Sequence, residues 1–383
     1  MKIAFFSNYL NHHQLPLAEA FNDMEGIEYT FVSVIPVPEF RKELGYKEID
    51  APFLLDVTKS EENRNKAIAL ALDADVAIFS TSRMNEYIIP RLQSGKLTFE
   101  YSERWFKKDF KMNLLSKNLW KHQSMYYRYG RRANLYMLCA SAYAANDYYF
   151  LNSYKNRCFK WAYFTSVKPI DIDSVLERKR SRRLSMMWCS RFIGWKHPEM
   201  VINLASLLKS NGYAFEIDMY GIGPLVEETR RVVSERGLSD CVNILGSVPN
   251  EAVIDAMQRH NIFLFTSDQN EGWGAVTNEA MSNGCTIVGS NKIGSIPFLV
   301  RHGENGLIFK SKDINSLVKN VISILDNPDL CEQMARRAYS DMLNMWSPQN
   351  AAQRFISLAN ELQEGRSTPF EDGPCSQARP YKF

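Results

Sequence analysis

The sequence predicts an α/β fold built from two doubly wound parallel sheets. Three observations point there. Short strand-like apolar runs alternate with amphipathic segments along most of the chain. The length of 383 residues suits two domains. The alternation breaks in a polar, basic stretch at 167–183 that contains Pro169, and then begins again.

In the first domain, assigned to 1–168, residues 2–7 read as the opening strand. A helix over 14–23 follows, with Leu15, Leu17, Ala18 and Phe21 on one side. A second strand is expected at 29–34. Residues 35–53 hold three prolines and little periodicity, which predicts a long loop. Helices are expected at 61–72, 85–93 and 141–151, and strands at 76–80 and 97–101. In the second domain, assigned to 184–345, strands are expected at 184–189, 214–220, 242–245, 262–265, 286–289 and 306–309. Helices fit at 198–209, 225–236, 250–259, 278–283, 313–325 and 329–343. A last helix at 349–363, within 346–364, is expected to cross back to the first domain. Residues 365–383 mix Pro, Gly, Ser and charge without periodicity and are expected to form a flexible tail.

Composition narrows the function classes. A hydrophobic content of 45% with 23% charged residues is that of a globular protein. No run of eighteen apolar residues predicts a membrane span. The opening residues lack the apolar stretch and cleavage site of a secretory leader, so a cytoplasmic protein is expected. The seven cysteines form no C-x-x-C pair and support neither zinc nor a disulfide framework; reduced thiols fit the cytoplasm. A net charge of +3 is too small to argue for a nucleic-acid partner. Its distribution says more. Between Glu103 and Arg132 lie nine Lys/Arg and two acids, interleaved with Trp105, Phe106, Phe110, Trp120, Tyr126, Tyr127 and Tyr129. Residues 105–132 are read as a contact with an anionic membrane surface. The alternative is a helix with one wet and one buried face.

The most informative segment is Glu271-Gly-Trp-Gly-Ala-Val-Thr-Asn-Glu279, with its two glutamates eight apart. Gly272 and Gly274 let backbone approach a ligand closely. A helix starting directly afterwards would turn free N–H groups and its positive dipole end toward a phosphate. Two carboxylates flanking an anion site suit a ligand with hydroxyls on both sides of a diphosphate, such as a nucleotide sugar. Arg191 and Lys196, five apart after the strand at 184–189, could converge on that diphosphate. Alone they read as surface cations. Glu279 has two oxygens matched to a ribose diol, and Glu271 is assigned to hydroxyls of the transferred sugar.

Weaker signals surround these. Gly221-Ile-Gly223-Pro lacks the last glycine of a dinucleotide fingerprint, since Val226 stands there, and reads as a tight turn. The stretch from Gly246 through Val248 follows a strand and could offer backbone groups to a nucleotide base. Asn8, His12 and His13 follow the first strand. Without a second ligand cluster a metal is not expected, and the histidines read as acceptor contacts or as part of a helix start. Glu103 and Arg104 follow the strand at 97–101 and either face a ligand or pair with each other at the surface.

On these residues the chain resembles the family 4 retaining glycosyltransferases of GT-B fold, most closely over about 184–309. The resemblance rests on Arg191/Lys196, the Gly221-x-Gly223-Pro224 turn, Leu245-Gly-Ser-Val248, the Glu-x7-Glu element at Glu271/Glu279, Gly284, and Asn305-Gly-Leu-Ile308. The first half is less similar; its residues 8–14 and 102–104 resemble members that build bacterial surface polysaccharides. The resemblance implies two Rossmann-like domains facing a cleft and transfer from a nucleotide diphosphate sugar with retention, without cofactor or metal. It implies that Arg191 and Lys196 neutralise the leaving diphosphate together with the amides of Gly274, Ala275 and Val276. Gly221, Val248, Gly272 and Trp273 line the donor, and Glu279 and Glu271 read its two sugars. Glu103 is assigned to the catalytic region, and Asn8, His12, His13 and Arg104 to the acceptor. The acceptor is expected to be a glycan or lipid-linked glycan at the inner membrane face, in capsule, exopolysaccharide or lipopolysaccharide synthesis. A nucleotide-sugar epimerase would need acid/base carboxylates around the sugar, and none can be placed. A non-catalytic sugar-nucleotide-binding subunit is the third reading.

Overall fold

Two all-parallel sheets organise the computed structural model, which describes residues 1–39, 48–80, 84–107 and 110–382. Residues 40–47 of the expected loop, Lys108 in the basic-aromatic segment and Phe383 of the expected tail lie outside the described residues. The chain divides into two units, Met1–Ser166 with Met345–Lys382, and Val167–Asn344.

In the first unit the strands are β1 (Lys2–Ser7), β2 (Glu28–Ser33), β3 (Leu54–Asp56), β4 (Val76–Phe79), β5 (Thr98–Ser102), β6 (Leu135–Cys139) and β7 (Cys158–Lys160). Among the described residues their order is β3-β2-β1-β4-β5-β6-β7. β4 reads Val-Ala-Ile-Phe and is buried throughout, as a central parallel strand covered on both faces must be. Phe6 of β1 stacks on Phe79 of β4 with ring centroids 4.7 Å apart. The winding reverses between β1 and β4, so a ligand crevice is set outside their C-terminal ends.

β3, β6 and β7 were not expected from the sequence. β3 and β7 are three residues each, too short to display a period. Leu135-Tyr-Met-Leu-Cys139 is an apolar run whose periodicity alone cannot separate strand from helix.

The helix Pro348–Gln363 belongs to this first unit. Ser347 caps it by accepting from the Asn350 N–H, and Phe355 meets Phe99 and Phe21 at centroid distances of 5.0 and 5.6 Å. The expected flexible tail is corrected. Residues 375–378 run antiparallel to β7: Lys160 N–H donates to Ser376 O at 2.8 Å and Ala378 N–H to Cys158 O at 2.9 Å. Cys375 is fully buried. The segment covers the otherwise open edge of the sheet, a requirement that no local pattern in 365–383 reveals.

The second unit contains β8 (Ser185–Cys189), β9 (Glu216–Tyr220), β10 (Val242–Gly246), β11 (Ile262–Phe265), β12 (Thr286–Ser290) and β13 (Gly306–Phe309). Among the described residues their order is β10-β9-β8-β11-β12-β13, the doubly wound order with its reversal between β8 and β11. Trp188, Ile217, Leu264, Val288 and Phe309 share one buried cluster with Leu204 and Val321 from the covering helices. The basic stretch after Pro169, where the alternation was expected to break, contains a helix, Ile172–Arg180. Asp171 caps it at Ser174 N, Asp173 occupies its first turn, and Arg178, Lys179 and Arg180 fill its last turn, where they oppose the helix dipole.

Candidate functional site

The reversal between β8 and β11 is where the strongest sequence signals gather. Beyond Cys189 the backbone passes over Gly221 and Gly223. A Cβ on Gly221, whose φ is +133°, would stand 1.9 Å from the Ser190 carbonyl oxygen. Gly221 therefore serves the close packing of two strand ends, the turn role that its incomplete motif suggests. A short 3-10 turn, Gly194–Lys196, follows. Thr266 Oγ1, beyond β11, donates to Lys196 O at 2.6 Å and accepts from Trp188 Nε1 at 2.9 Å. The ends of β8 and β11 are thereby clamped together.

This clamp places Lys196 against the loop after β11. Its Nζ pairs with Glu271 Oε2, and the two side chains are only 11% and 13% exposed. The ammonium also stands 4.3 Å from the Trp195 ring centroid and 5.7 Å from that of Phe265. Gly274 has φ +89°, and a Cβ there would lie 2.7 Å from the Phe265 ring and 3.2 Å from Glu271 Cγ. The glycine lets the loop fold down beside Phe265 and keeps Glu271 in place. Ala275 precedes the helix Val276–Ser282, which carries Glu279 in its first turn. Burial raises the Glu279 carboxyl from 4.5 to about 7. The Cys189 thiol is pushed up to about 12, first by its own burial and then by the Glu279 charge. Arg191 is exposed, its guanidinium 5.8 Å from the Trp195 ring centroid. Val248 is half-buried after β10, just past Gly246 with φ +75°. Gly272 is buried in the loop.

Trp273 is a correction. Its ring is 1% exposed, its Nε1 donates to Asn278 Oδ1 at 2.9 Å, and its carbonyl accepts from Ser295 N–H at 3.0 Å. It anchors the loop from inside, and a fully buried indole leaves no face for a donor.

Two groups escaped the sequence reading. His197, in the left-handed region at φ 53°, lies 3.2 Å from Asp268 Oδ2 through Nε2 and 2.6 Å from Glu199 Oε1 through Nδ1. Those partners, Glu199 first, raise its pKa against the opposing effect of burial. Its position next to Lys196 was the available signal. Lys179 is 2% exposed, and its Nζ donates to the carbonyls of Asn283 and Gly284, just past the helix that carries Glu279. Nothing local separates it from the four other Lys and Arg of 178–183.

In the first unit, His13 and Glu103 gather around Tyr163. The His13 and Tyr163 ring centroids are 6.4 Å apart, and Tyr163 OH donates to Glu103 Oε1 at 2.7 Å. Glu103 also pairs with Lys107. His12 packs on His13 at 3.9 Å, and Asn8 is exposed while its carbonyl accepts from Val34 and Ile35 N–H. Arg104 corrects two expectations. It pairs with Asp147 at 3.3 Å rather than with Glu103, and it lies 4.9 Å from the Tyr143 ring centroid. With side chains 12% and 4% exposed, this is an interior pair, and its cation is spent on Asp147 instead of an acceptor.

Residues 174–341 match the family model of glycosyl transferases group 1. The amylovoran biosynthesis glycosyltransferase AmsK of Erwinia amylovora is 26% identical over 156 residues, 39% of this chain and 38% of that protein. The poly(glycerol-phosphate) alpha-glucosyltransferase of Bacillus subtilis is 22% identical over 206 residues, 53% and 30% of the two chains. The chain thus spans under half the length of either relative. Among solved structures, Anabaena HepE in complex with UDP superposes with a TM-score of 0.69 at 15% identity, covering 95% of this chain and all of that one. A mutant of S. aureus TarM in complex with fondaparinux, alpha-GlcNAc-glycerol and UDP superposes with a TM-score of 0.65 at 11% identity, covering 94% and 99%. Residues 174–341 are thus similar to the glycosyl transferases group 1, and the two doubly wound sheets have the GT-B fold of these solved glycosyltransferases.

Proposed function

We propose that this chain is a retaining, metal-independent hexosyltransferase that moves a sugar from a nucleotide diphosphate donor to a polysaccharide or lipid-linked acceptor in surface-polysaccharide synthesis. The observation that carries the proposal is the joining of Lys196 and Glu271 at the β8/β11 reversal, directly before the helix that bears Glu279.

The bond to be broken is already activated, and the leaving diphosphate needs charge stabilisation more than a proton. Lys196 and Arg191 supply cations, and the amides of Gly274, Ala275 and Val276 supply donors at a helix start. Glu279 accepts from the ribose diol and Glu271 from the transferred sugar. The departing phosphate oxygen takes the acceptor proton, so no dedicated base is required. HepE in complex with UDP and glucose supports this class of donor.

The proposal places the enzyme at the inner face of the cell membrane. No helix of the described residues is long and apolar enough to cross a membrane. Support for surface contact comes from Phe110, Met112, Leu115 and Trp120, which are 45–81% exposed among exposed Lys111, Lys117 and Lys121. The deciding experiment measures release of nucleoside diphosphate, and formation of a glycoside, across a panel of donors with membrane-derived acceptors. Product is expected for one donor with the wild type and is lost in Lys196→Ala and Glu271→Ala. Full activity in both variants would overturn the assignment.

A further inference from the structure

His197 and Asp268 join the turn that carries Lys196 to the loop that carries Glu271. The Asp268 side chain, beyond β11, is 5% exposed. Its Oδ1 accepts from Asn270 N–H at 3.0 Å and from Asn270 Nδ2 at 2.8 Å. Its Oδ2 faces His197 Nε2 at 3.2 Å and Lys312 Nζ at 3.3 Å. A carboxylate offers about four lone-pair positions, and these contacts fill them. Asp268 thus stands at the ligand end of the sheet with no capacity left for a ligand hydroxyl.

The backbone contacts converge on the same residue. Asp268 N–H donates to Trp195 O at 3.1 Å, and Asp268 O accepts from Glu271 N–H at 3.0 Å. With the bond from Thr266 Oγ1 to Lys196 O, residues 195, 196 and 197 are each tied to the stretch 266–268.

His197 also meets Glu199 Oε1 through Nδ1, at 2.6 Å. Both ring nitrogens therefore face oxygens that only accept, which requires the imidazolium with an N–H on each. The His197 backbone lies at φ 53°, ψ 55°, in the left-handed region that favours glycine. It stands at the start of the helix Pro198–Ser210, yet its side chain makes no cap. A strained residue of this kind persists where its surroundings over-determine it, and such residues cluster at functional sites.

We infer that His197 and Asp268 are positioning residues, which fix the backbones of Lys196 and Glu271 so that the ammonium stands in one place for the donor diphosphate. The word diphosphate rests on the function proposed above; the positioning of Lys196 does not. A lysine ammonium rides on a flexible four-carbon stem. Anchoring the turn beneath it removes part of that freedom before a donor binds, and a misplacement of about 1 Å at such a group costs about 100-fold in rate.

The test begins without ligand. In the full chain carrying isotope-labelled lysine, the Lys196 ε-methylene resonance is assigned by its absence in Lys196→Ala. The nearby Trp195 and Phe265 rings should displace it from the exposed lysines. It should move toward those lysines in His197→Gly and Asp268→Asn, and stay displaced in His197→Gln, whose amide can still donate to Asp268. An unmoved resonance in either folded variant would overturn the inference. Glycine relieves the left-handed backbone, so His197→Gly should melt with the wild type; its unfolding would make the pair a support of the fold and overturn the inference as well. With the donor found by the panel above, His197→Gly should lower kcat about 10- to 100-fold. It should cost nothing further in Lys196→Ala, because it acts through that lysine; losses that multiply would contradict positioning. If the resonance moves while Lys196→Ala keeps full turnover, the positioning stands and the diphosphate assignment falls.

Discussion

Lys196 Nζ meets Glu271 Oε2 across the C-terminal ends of β8 and β11, so the cation assigned to the donor diphosphate is held by an acid before any donor arrives. An incoming diphosphate competes with Glu271 for that ammonium. Glu271→Gln should therefore bind free nucleoside diphosphate about fivefold more tightly than the wild type, as a charged partner is removed. Lys196→Ala should lose about 100- to 1,000-fold in kcat, the scale of removing one group that stabilises developing negative charge. Calorimetric titration and initial rates check the pair. Weaker diphosphate binding in Glu271→Gln would contradict competition.

Glu279 carries the pH dependence. Its folded pKa, about 7 through burial, lies above its ordinary 4.5, so the native state holds the proton more tightly than the unfolded chain. Stability from this group is therefore greatest below pH 4.5 and declines as pH rises toward about 7. Binding runs the other way, because only the carboxylate accepts both ribose hydroxyls. The donor KM should fall as pH rises through about 7, and Glu279→Gln should flatten that dependence and gain thermal stability above it. Thermal melts and KM profiles across this range decide the point; a wild-type KM that does not change with pH would remove Glu279 from the donor.

Gly221 tests the clamp behind the site. Gly221→Ala forces φ +133° on a residue with a side chain and brings Cβ to 1.9 Å from Ser190 O. A loss of about 2–3 kcal/mol is expected. Gly212→Ala, at φ +77° in open space, should cost about 1 kcal/mol. Urea titrations of the two variants should separate them; equal losses would mean that the strand ends are not closely packed at Gly221.

Residues 110–121 test the membrane proposal. Replacing Lys111, Lys117 and Lys121 with Gln should weaken binding to anionic vesicles on the order of 100-fold, at about 1 kcal/mol per lysine near the surface. Trp120→Ala should weaken it further, and salt should reverse the lysine part. Vesicle co-sedimentation measures this; unchanged partitioning would leave the exposed apolar residues without this partner.

Much of the second unit was legible because its signals are local. Glu271, Gly274 and Glu279 lie within one loop and the helix it opens, and β8 through β13 show as apolar runs bounded by turns. The first unit was less legible. β3 and β7 are too short to show a period, and Arg104 gave no sign in sequence of its partner Asp147. Trp273 was misread for a related reason: a tryptophan between glycines looks poised for a ligand, and only packing shows that it turns inward.

The sequence by itself determined the two α/β alternations and the glycine-containing loop and helix start from Glu271 to Glu279, because period, glycine placement and helix starts are properties of neighbouring residues. Tertiary structure alone decided that Lys196 meets Glu271 across 75 positions, that Lys179 holds the end of the Glu279 helix, and that 375–378 seal β7. Such partners are chosen when strand edges and buried charges from distant parts of the chain must satisfy one another in a single packed arrangement.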